Sequence, residues 1–209
     1  MNAQQYYEKY WVQDSTDPTT NDREKLLLRT LKHYGHFAAG ETKVLDAGCG
    51  SGEFLPFFVR AGFQVYGIDL SLVAVKRARN RSPKSIVIVG SLEGDLGFRP
   101  DNFELVWSTE VLEHLFDIED ALRAIHRVLK PGGLFVLTTP YHGLLKNLAI
   151  ALTGFDRHFD VVGPHIRFFS KASLTRCLQA AGFDVLWITG FGRFRPLHKS
   201  MFVVATKRV

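Results

Sequence analysis

The chain is predicted to be one α/β domain, a doubly wound seven-stranded sheet that is mostly parallel, with an antiparallel last strand and helices on both faces. Three observations predict it. From Lys43 onward short β-rich runs alternate with segments of helical period, and strands separated by helices give a parallel sheet covered on both faces. The first of these runs leads straight into the glycine-rich turn Gly48-Cys49-Gly50-Ser51-Gly52. The last two runs are joined by residues 189–200, which carry no helical period, so the final strand is expected to run antiparallel to its neighbour.

Strands are expected at 43–47, 64–68, 86–89, 103–107, 134–139, 183–188 and 201–206. Helical period marks 53–61, 71–81 and 118–129, and a leading helix over 21–37 follows Thr19, Thr20 and Asn21 as candidate caps. Residues 1–40 are therefore expected to form an N-terminal gate and helix, with 140–165 a cap inserted on the substrate side. No internal repeat or low-complexity linker divides the chain, so 1–209 is expected to be a single domain. With 46% apolar and 22% charged residues it can bury a full core, which excludes disordered, collagen-like and coiled-coil classes. The 26 Lys and Arg against 21 Asp and Glu leave a charge of +5, too small and scattered for a nucleic-acid footprint, so no DNA partner is expected. Cys49 and Cys177 lack metal-ligand or disulfide spacing. Residues 1–11 lack an apolar signal region and no apolar run reaches about 18 residues. The expectation is a cytoplasmic protein with reduced thiols.

The chemistry begins at Val44-Leu45-Asp46-Ala47-Gly48-Cys49-Gly50-Ser51-Gly52, a buried strand entering glycines and then a helix. In a doubly wound sheet a ligand sits outside the carboxyl ends of the strands, where glycine lets the backbone approach it. Twenty-one residues after Gly48 stands Asp69, closing the second strand, where a carboxylate accepts the hydroxyl hydrogens of a ribose. A dinucleotide fingerprint would have a third glycine at position 53, but this chain has Glu53, a carboxylate placed where a pyrophosphate would meet a helix N-terminus. That disfavours an NAD-dependent oxidoreductase. S-adenosyl-L-methionine carries no phosphate and is cationic, so Asp46 and Glu53 suit it.

Further runs follow in order: Gly90-Ser91-Leu92-Glu93, the segment Phe103-Glu104-Leu105-Val106-Trp107-Ser108-Thr109-Glu110-Val111-Leu112-Glu113-His114, and Leu129-Lys130-Pro131-Gly132-Gly133. With the glycine turn and Asp69 they resemble the class I S-adenosylmethionine-dependent methyltransferases, from about Tyr6 to Thr206, and the resemblance implies a Rossmann-like fold. It implies a cofactor site of Asp46, Gly48, Cys49, Gly50, Gly52, Asp69, Leu70, Ser91, Leu92 and Thr109. In it Gly48, Gly50 and Gly52 face the methionine moiety, Asp69 the ribose, and Ser91 and Leu92 the adenine. Glu93 stands for the acid often found beside the adenine, and Glu104 replaces the usual aspartate of the fourth strand.

Glu110, Glu113 and His114 share one face if that segment turns helically, and two carboxylates and an imidazole can bind a divalent ion. His165, 51 residues beyond His114, could be a fourth ligand. The pattern resembles the ubiquinone-biosynthesis O-methyltransferases and the methyltransferases of small-RNA 3′ ends, where Mg or Mn activates a hydroxyl. Without a metal, His114 would be the base, with Glu113 bracing the turn, and His142 and His158 the next candidates, because histidine titrates near neutrality.

On the substrate side, Leu144, Leu145, Leu148, Ala149, Ala151 and Leu152 gather on one side of a helix expected to face the crevice, suggesting an apolar or aromatic acceptor. The same stripe over 143–155 could touch a membrane surface. The gate Tyr6-Tyr7-Glu8-Lys9-Tyr10-Trp11 is expected to fold over the cofactor. Arg193, Arg195, His198 and Lys199 read as a solvated basic loop that could meet an anion. The leading function is O-methylation of an aromatic, quinol-like or otherwise apolar small molecule. An RNA 2′-O-methyltransferase is disfavoured by the weak net charge, and a non-catalytic cofactor-binding protein is disfavoured by the intact Glu113 and His114.

Overall fold

A computed structural model describes residues 3–11, 19–35, 37–159 and 165–208. The expected sheet is present: seven strands in the order β3-β2-β1-β4-β5-β7-β6. They are β1 (Lys43–Ala47), β2 (Gln64–Asp69), β3 (Ile86–Val89), β4 (Phe103–Thr109), β5 (Leu129–Pro140), β6 (Phe183–Phe191) and β7 (Ser200–Lys207). The first five are parallel and β7 is antiparallel to both β5 and β6. β1 and β4 lie at the centre, so Val44, Leu45, Ala47, Leu105, Val106 and Trp107 are fully buried, which is why these strands read as continuous apolar runs rather than alternating ones.

The helices are α1 (Ala3–Tyr10), α2 (Thr20–Tyr34), α3 (Leu55–Arg60), α4 (Leu72–Arg81), α5 (Ile118–Val128), α6 (Leu144–Thr153), α7 (Phe155–His158) and α8 (Lys171–Ala180). Two cores sandwich the sheet. On one face Leu27 of α2, Leu55 and Phe58 of α3, and Val75 and Ala78 of α4 pack together. On the other, Ile118, Leu122, Ile125 and Val128 of α5 join Leu174 and Leu178 of α8. The i, i+4, i+7 spacing on α5 is the amphipathic period that made it legible.

Element ends differ from expectation for local reasons. The helix expected over 53–61 starts only at Leu55, because Gly52 is left-handed (φ +78°) and Pro56 fixes the first turn. The helix expected to reach residue 37 stops at Tyr34, where the Gly35 N–H closes on the Leu31 carbonyl. Of its candidate caps, Thr19 occupies the cap position without a side-chain cap bond, while the Thr20 hydroxyl donates to Glu53 Oε1 at 2.8 Å. Strand β5 begins five residues early, with a register shift opposite Phe103–Leu105 that accommodates Pro131-Gly132-Gly133. Of the expected cap, residues 160–164 lie outside the described residues, as do residues 12–18 of the N-terminal gate region.

The order of strands reverses between β1 and β4. A crevice opens at that reversal, outside the carboxyl ends of the strands.

Candidate active site

A cavity of about 800 Å³ lies at this reversal. Its β1–β3 half is built from the glycine turn. The Gly48 and Cys49 N–H groups both donate to the Ile68 carbonyl, at 2.9 and 3.0 Å, tying the turn to β2. Gly50 is left-handed (φ +51°), and a Cβ there would stand 2.5 Å from the Trp11 ring. Glycine therefore lets the N-terminal aromatics come down on the turn. Gly52 is left-handed as well (φ +78°), and its missing Cβ would lie 2.9 Å from the Ala78 Cα. It brings α4 close to the turn. Asp46, Cys49, Leu70, Ser91, Leu92, Glu93 and Thr109 all reach the wall.

Asp69 accepts the Gly50 N–H at 2.8 Å on one oxygen and the Ser71 N–H at 2.9 Å on the other. A carboxylate has about four acceptor sites, so two hydroxyls can still be received. Burial pushes Asp69 above the usual carboxylate range even though these N–H groups pull the other way. Burial, then the charges of Asp69 and Glu53, push Asp46 well up. Burial likewise raises the Cys49 thiol, making it an inert part of the wall.

Glu8 ties helix α1 to α4. Glu8 accepts the Leu72 and Val73 N–H groups at 2.6 and 3.1 Å and the Ser71 hydroxyl at 3.1 Å, sitting on the N-terminus of α4. Desolvation pushes its carboxyl up, but these donors, with the Lys76 charge, together hold it below the usual range. Tyr7, Tyr10 and Trp11 thereby join the wall. Burial raises the Tyr7 hydroxyl, which stays protonated.

Beyond β4 the expected Glu-His group divides. Glu110 is itself left-handed (φ +51°), and Leu112–His114 is a single 3₁₀ turn, so the helical geometry that would align all three is absent. Glu110 accepts from Thr138 at 2.9 Å and Ser200 at 3.4 Å, and lies 3.4 Å from the buried Arg23 guanidinium. Glu113, His114 and His165 converge instead, each offering a ligand atom within 4.8 Å of the others. Glu113 is fully buried, accepts from Thr139 at 3.1 Å, and leaves its other oxygen without a hydrogen bond, 3.9 Å from His114 Nε2. Burial first and Glu110 second push Glu113 well above its usual value. Its backbone carbonyl receives the Ile166 and Arg167 N–H groups, which draws His165 to the site. His114 also meets Tyr7 edge-on at 5.9 Å.

The remaining wall corrects the expected apolar cap. On α6 Leu144, Leu145, Leu148 and Leu152 are exposed, and the residues reaching the cavity are Lys146, Ala149, Ile150 and Thr153. Lys146 is the helix's one buried residue, its ammonium donating to the Tyr141 and Lys199 carbonyls at 2.6 and 3.0 Å. Burial, with Arg193 next, lowers it to about 8. His142 lines the cavity with Nδ1 3.1 Å from Asn147 Oδ1, and burial lowers it to about 4, so it is neutral at pH 7 and a weak base. Burial also lowers His158 and His165. The basic loop before β7 is not wholly solvated: Arg193 and Lys199 are in the wall. Sequence reasoning missed Arg23 and Lys146, yet both left a signal. Arg23 shares the buried stripe of α2 with Leu27 and Thr30 at i, i+4, i+7, and Lys146 is the only charge in a largely apolar helix.

Comparison with known proteins adds to this geometry. A family profile described as a methyltransferase domain matches residues 20–187. A ubiquinone biosynthesis O-methyltransferase of Chromobacterium violaceum is 30% identical over 192 residues, covering 88% of this chain and 82% of that protein. A malonyl-[acyl-carrier protein] O-methyltransferase of Pseudescherichia vulneris is 31% identical over 137 residues, 66% of this chain, and the chain spans about half of that relative (53%). Among solved structures, an S-adenosylmethionine-dependent methyltransferase from Mesorhizobium loti superposes with a TM-score of 0.67 at 22% identity, over 88% of this chain and 97% of that one. The [4+2]-cyclase SpnF superposes at 0.71 with 20% identity, over 95% and 86%. One fold thus serves more than one chemistry.

Proposed function

The chain belongs to the class I S-adenosylmethionine-dependent methyltransferases, and on that premise we propose that it transfers a methyl group to the hydroxyl of a small aromatic or quinol-like acceptor. The observation that carries this reading is that the cofactor cradle and a carboxylate-backed histidine share one cavity. Asp46, Glu53 and Asp69 line the cradle half with acids, whose ionised forms a cationic cofactor carrying a ribose and no phosphate would favour. S-adenosylmethionine supplies an electrophilic methyl on a sulfonium, which the acceptor oxygen displaces in line.

The residues of the chain have three tasks. Asp69 and the glycine turn fix one reactant, and Tyr7 and Trp11 close over it and exclude water. His114 takes the proton leaving the acceptor hydroxyl. The unbonded Glu113 oxygen, 3.9 Å from His114 Nε2, stabilises, when Glu113 is ionised, the imidazolium that forms, and that developing charge opposes the burial that raises the Glu113 pKa. His142 shapes the acceptor wall as a neutral ring beside Phe168 (4.9 Å between centroids).

A metal-assisted variant is favoured by the same orphaned Glu113 oxygen. Glu113, His114 and His165 would hold a divalent ion such as Mg or Mn, which would acidify the acceptor hydroxyl directly. Glu110, committed to Arg23, is not counted in that set. The experiment is a radiolabelled methyl-transfer assay over phenols, catechols and quinols, with and without chelator, on the wild type and His114→Ala. Turnover of any hydroxyl acceptor that depends on His114 supports the reading, and retention of rate after chelation removes the metal. Turnover restricted to amines or carbon acceptors would overturn it.

A further inference from the structure

The cavity is electrically two-sided. Around the carboxyl ends of β1 to β3 its wall carries Asp46, Glu53, Asp69 and Glu93, with Arg81 bonded to Ser51 as the basic exception. Around β5, α6 and the β6–β7 loop the wall carries Lys146, Arg193 and Lys199, with His142, His158 and His165 between them. Of the acids beside this second half, Glu110 already serves Arg23, Thr138 and Ser200, and the buried Glu113 stands with His114 and His165. Among the described residues neither Lys146 nor Arg193 has a carboxylate within ion-pair distance.

Lys146 is built to donate. It is only 7% exposed, yet it lies in the cavity wall. Two of the three N–H bonds of its ammonium form go to the Tyr141 and Lys199 carbonyls, which fix the nitrogen in position and leave a third donor. A buried ammonium without a counter-charge is costly, and the neighbouring Arg193 adds to that cost. An anion arriving with its own hydrogen-bond acceptors relieves both. Arg193, at the exposed mouth on the β6–β7 loop, can meet such an anion with a planar fork of donors.

We propose that Lys146 and Arg193 form an anion subsite in the acceptor half of the cavity, so that the methyl acceptor carries a carboxylate or phosphate group besides its reacting hydroxyl. This rests on the hydroxyl-methylating reading above and narrows its substrate class. It also explains why α6 turns its leucines outward and its single charge inward.

The test is calorimetric titration of the protein saturated with S-adenosylhomocysteine, using four matched probes: catechol, and catechol bearing a carboxylate, a phosphonate or a neutral primary amide. The carboxylate or the phosphonate should bind at least about tenfold more tightly than the amide, and whichever leads identifies the anion. In Lys146→Met and Arg193→Ala that ratio should fall to near one. Arg193 lies on an exposed loop, so its variant remains informative if Lys146→Met, which also removes two bonds joining α6 to its neighbours, unfolds. A ratio of one in the wild type, a ratio that survives both substitutions, or no binding of any probe overturns the proposal. So does a Lys146→Met variant that loses S-adenosylhomocysteine affinity while keeping the ratio, since the lysine would then serve the cofactor. Methyl transfer to the same probes is read separately. Transfer without anion preference sinks the subsite alone, and anion preference without transfer to any hydroxyl sinks the proposed activity alone.

Discussion

Replacing Asp46 by asparagine should make the cofactor-free protein more stable than the wild type at neutral pH, and increasingly so as the pH rises. Asp46 is 2% exposed, and burial with the neighbouring charges of Asp69 and Glu53 raises its pKa in the folded state. The unfolded chain releases this proton near the ordinary aspartate value. Above that value the native state therefore binds more protons than the unfolded state, and stability declines with pH until the folded pKa is passed. The slope from one such group is at most about 1.4 kcal/mol per pH unit. Between pH 5 and pH 7 the wild type can thus lose up to about 2.7 kcal/mol that the nearly isosteric asparagine variant keeps, a large share of a typical margin of about 5–15 kcal/mol. With a denaturant slope of about 2 kcal/mol per molar urea, the two midpoints should separate by up to about 1.3 M across that range. The assay is urea unfolding of both proteins at half-unit pH steps, without cofactor. Asp69 and Glu113 are present in both backgrounds and cancel in the difference. Parallel profiles, or a wild type that gains on the variant as pH rises, would refute the argument that Asp46 is stored in a protonated, desolvated state.

Three further outcomes follow from the geometry. Gly52→Ala must place a Cβ 2.9 Å from the Ala78 backbone at a left-handed φ of +78°, costing about 2–4 kcal/mol and lowering the melting temperature by about 5–15 °C in a scanning calorimeter. Glu8→Gln removes the charge that caps α4 from α1, so S-adenosylhomocysteine affinity should drop by up to about fivefold while the melting temperature barely moves. Because the Glu8 pKa is lowered, this clasp is fully present at neutral pH and is lost as the pH falls below about 4.5 through its folded value, a loss visible in wild-type cofactor titrations and absent in the variant. His114→Ala should lower turnover by about 10²–10⁴-fold with cofactor binding retained, as measured by single-turnover kinetics and calorimetry; a smaller loss would move the base elsewhere.

Much of this protein is written locally. The alternation of strands and helices follows from residue type and period, which act over ten or fewer neighbours, and the sheet is found where those periods place it. The turn at Gly48 and Gly50 was legible for the same reason: left-handed backbone (φ +78° and +51°) favours glycine, a local preference that a run of glycines after a strand announces. Asp69 was legible because parallel β1–β2 pairing, Ala47 opposite Ile68, sets its distance from the turn. These features the sequence by itself determined.

What tertiary structure decided concerns direction and partnership. The leucines of α6 form a clear stripe, but a stripe does not say which side of its helix meets the protein. Lys146 faces inward because the Tyr141 and Lys199 carbonyls, 5 and 53 residues away in sequence, are there to receive it. Gly52 was grouped with the cradle by spacing, and the fold adds a second demand at that position, the close approach of α4. Glu110 was grouped with Glu113 and His114 by helical period, but the chain there is a left-handed residue followed by a 3₁₀ turn, and Arg23 claims its charge across 87 residues of sequence (110 − 23). In each case the deciding interaction joins residues far apart in the chain, where period and propensity carry no information. The physical reason is that a buried charge takes its orientation from the partner that compensates it, and only the folded chain brings that partner near.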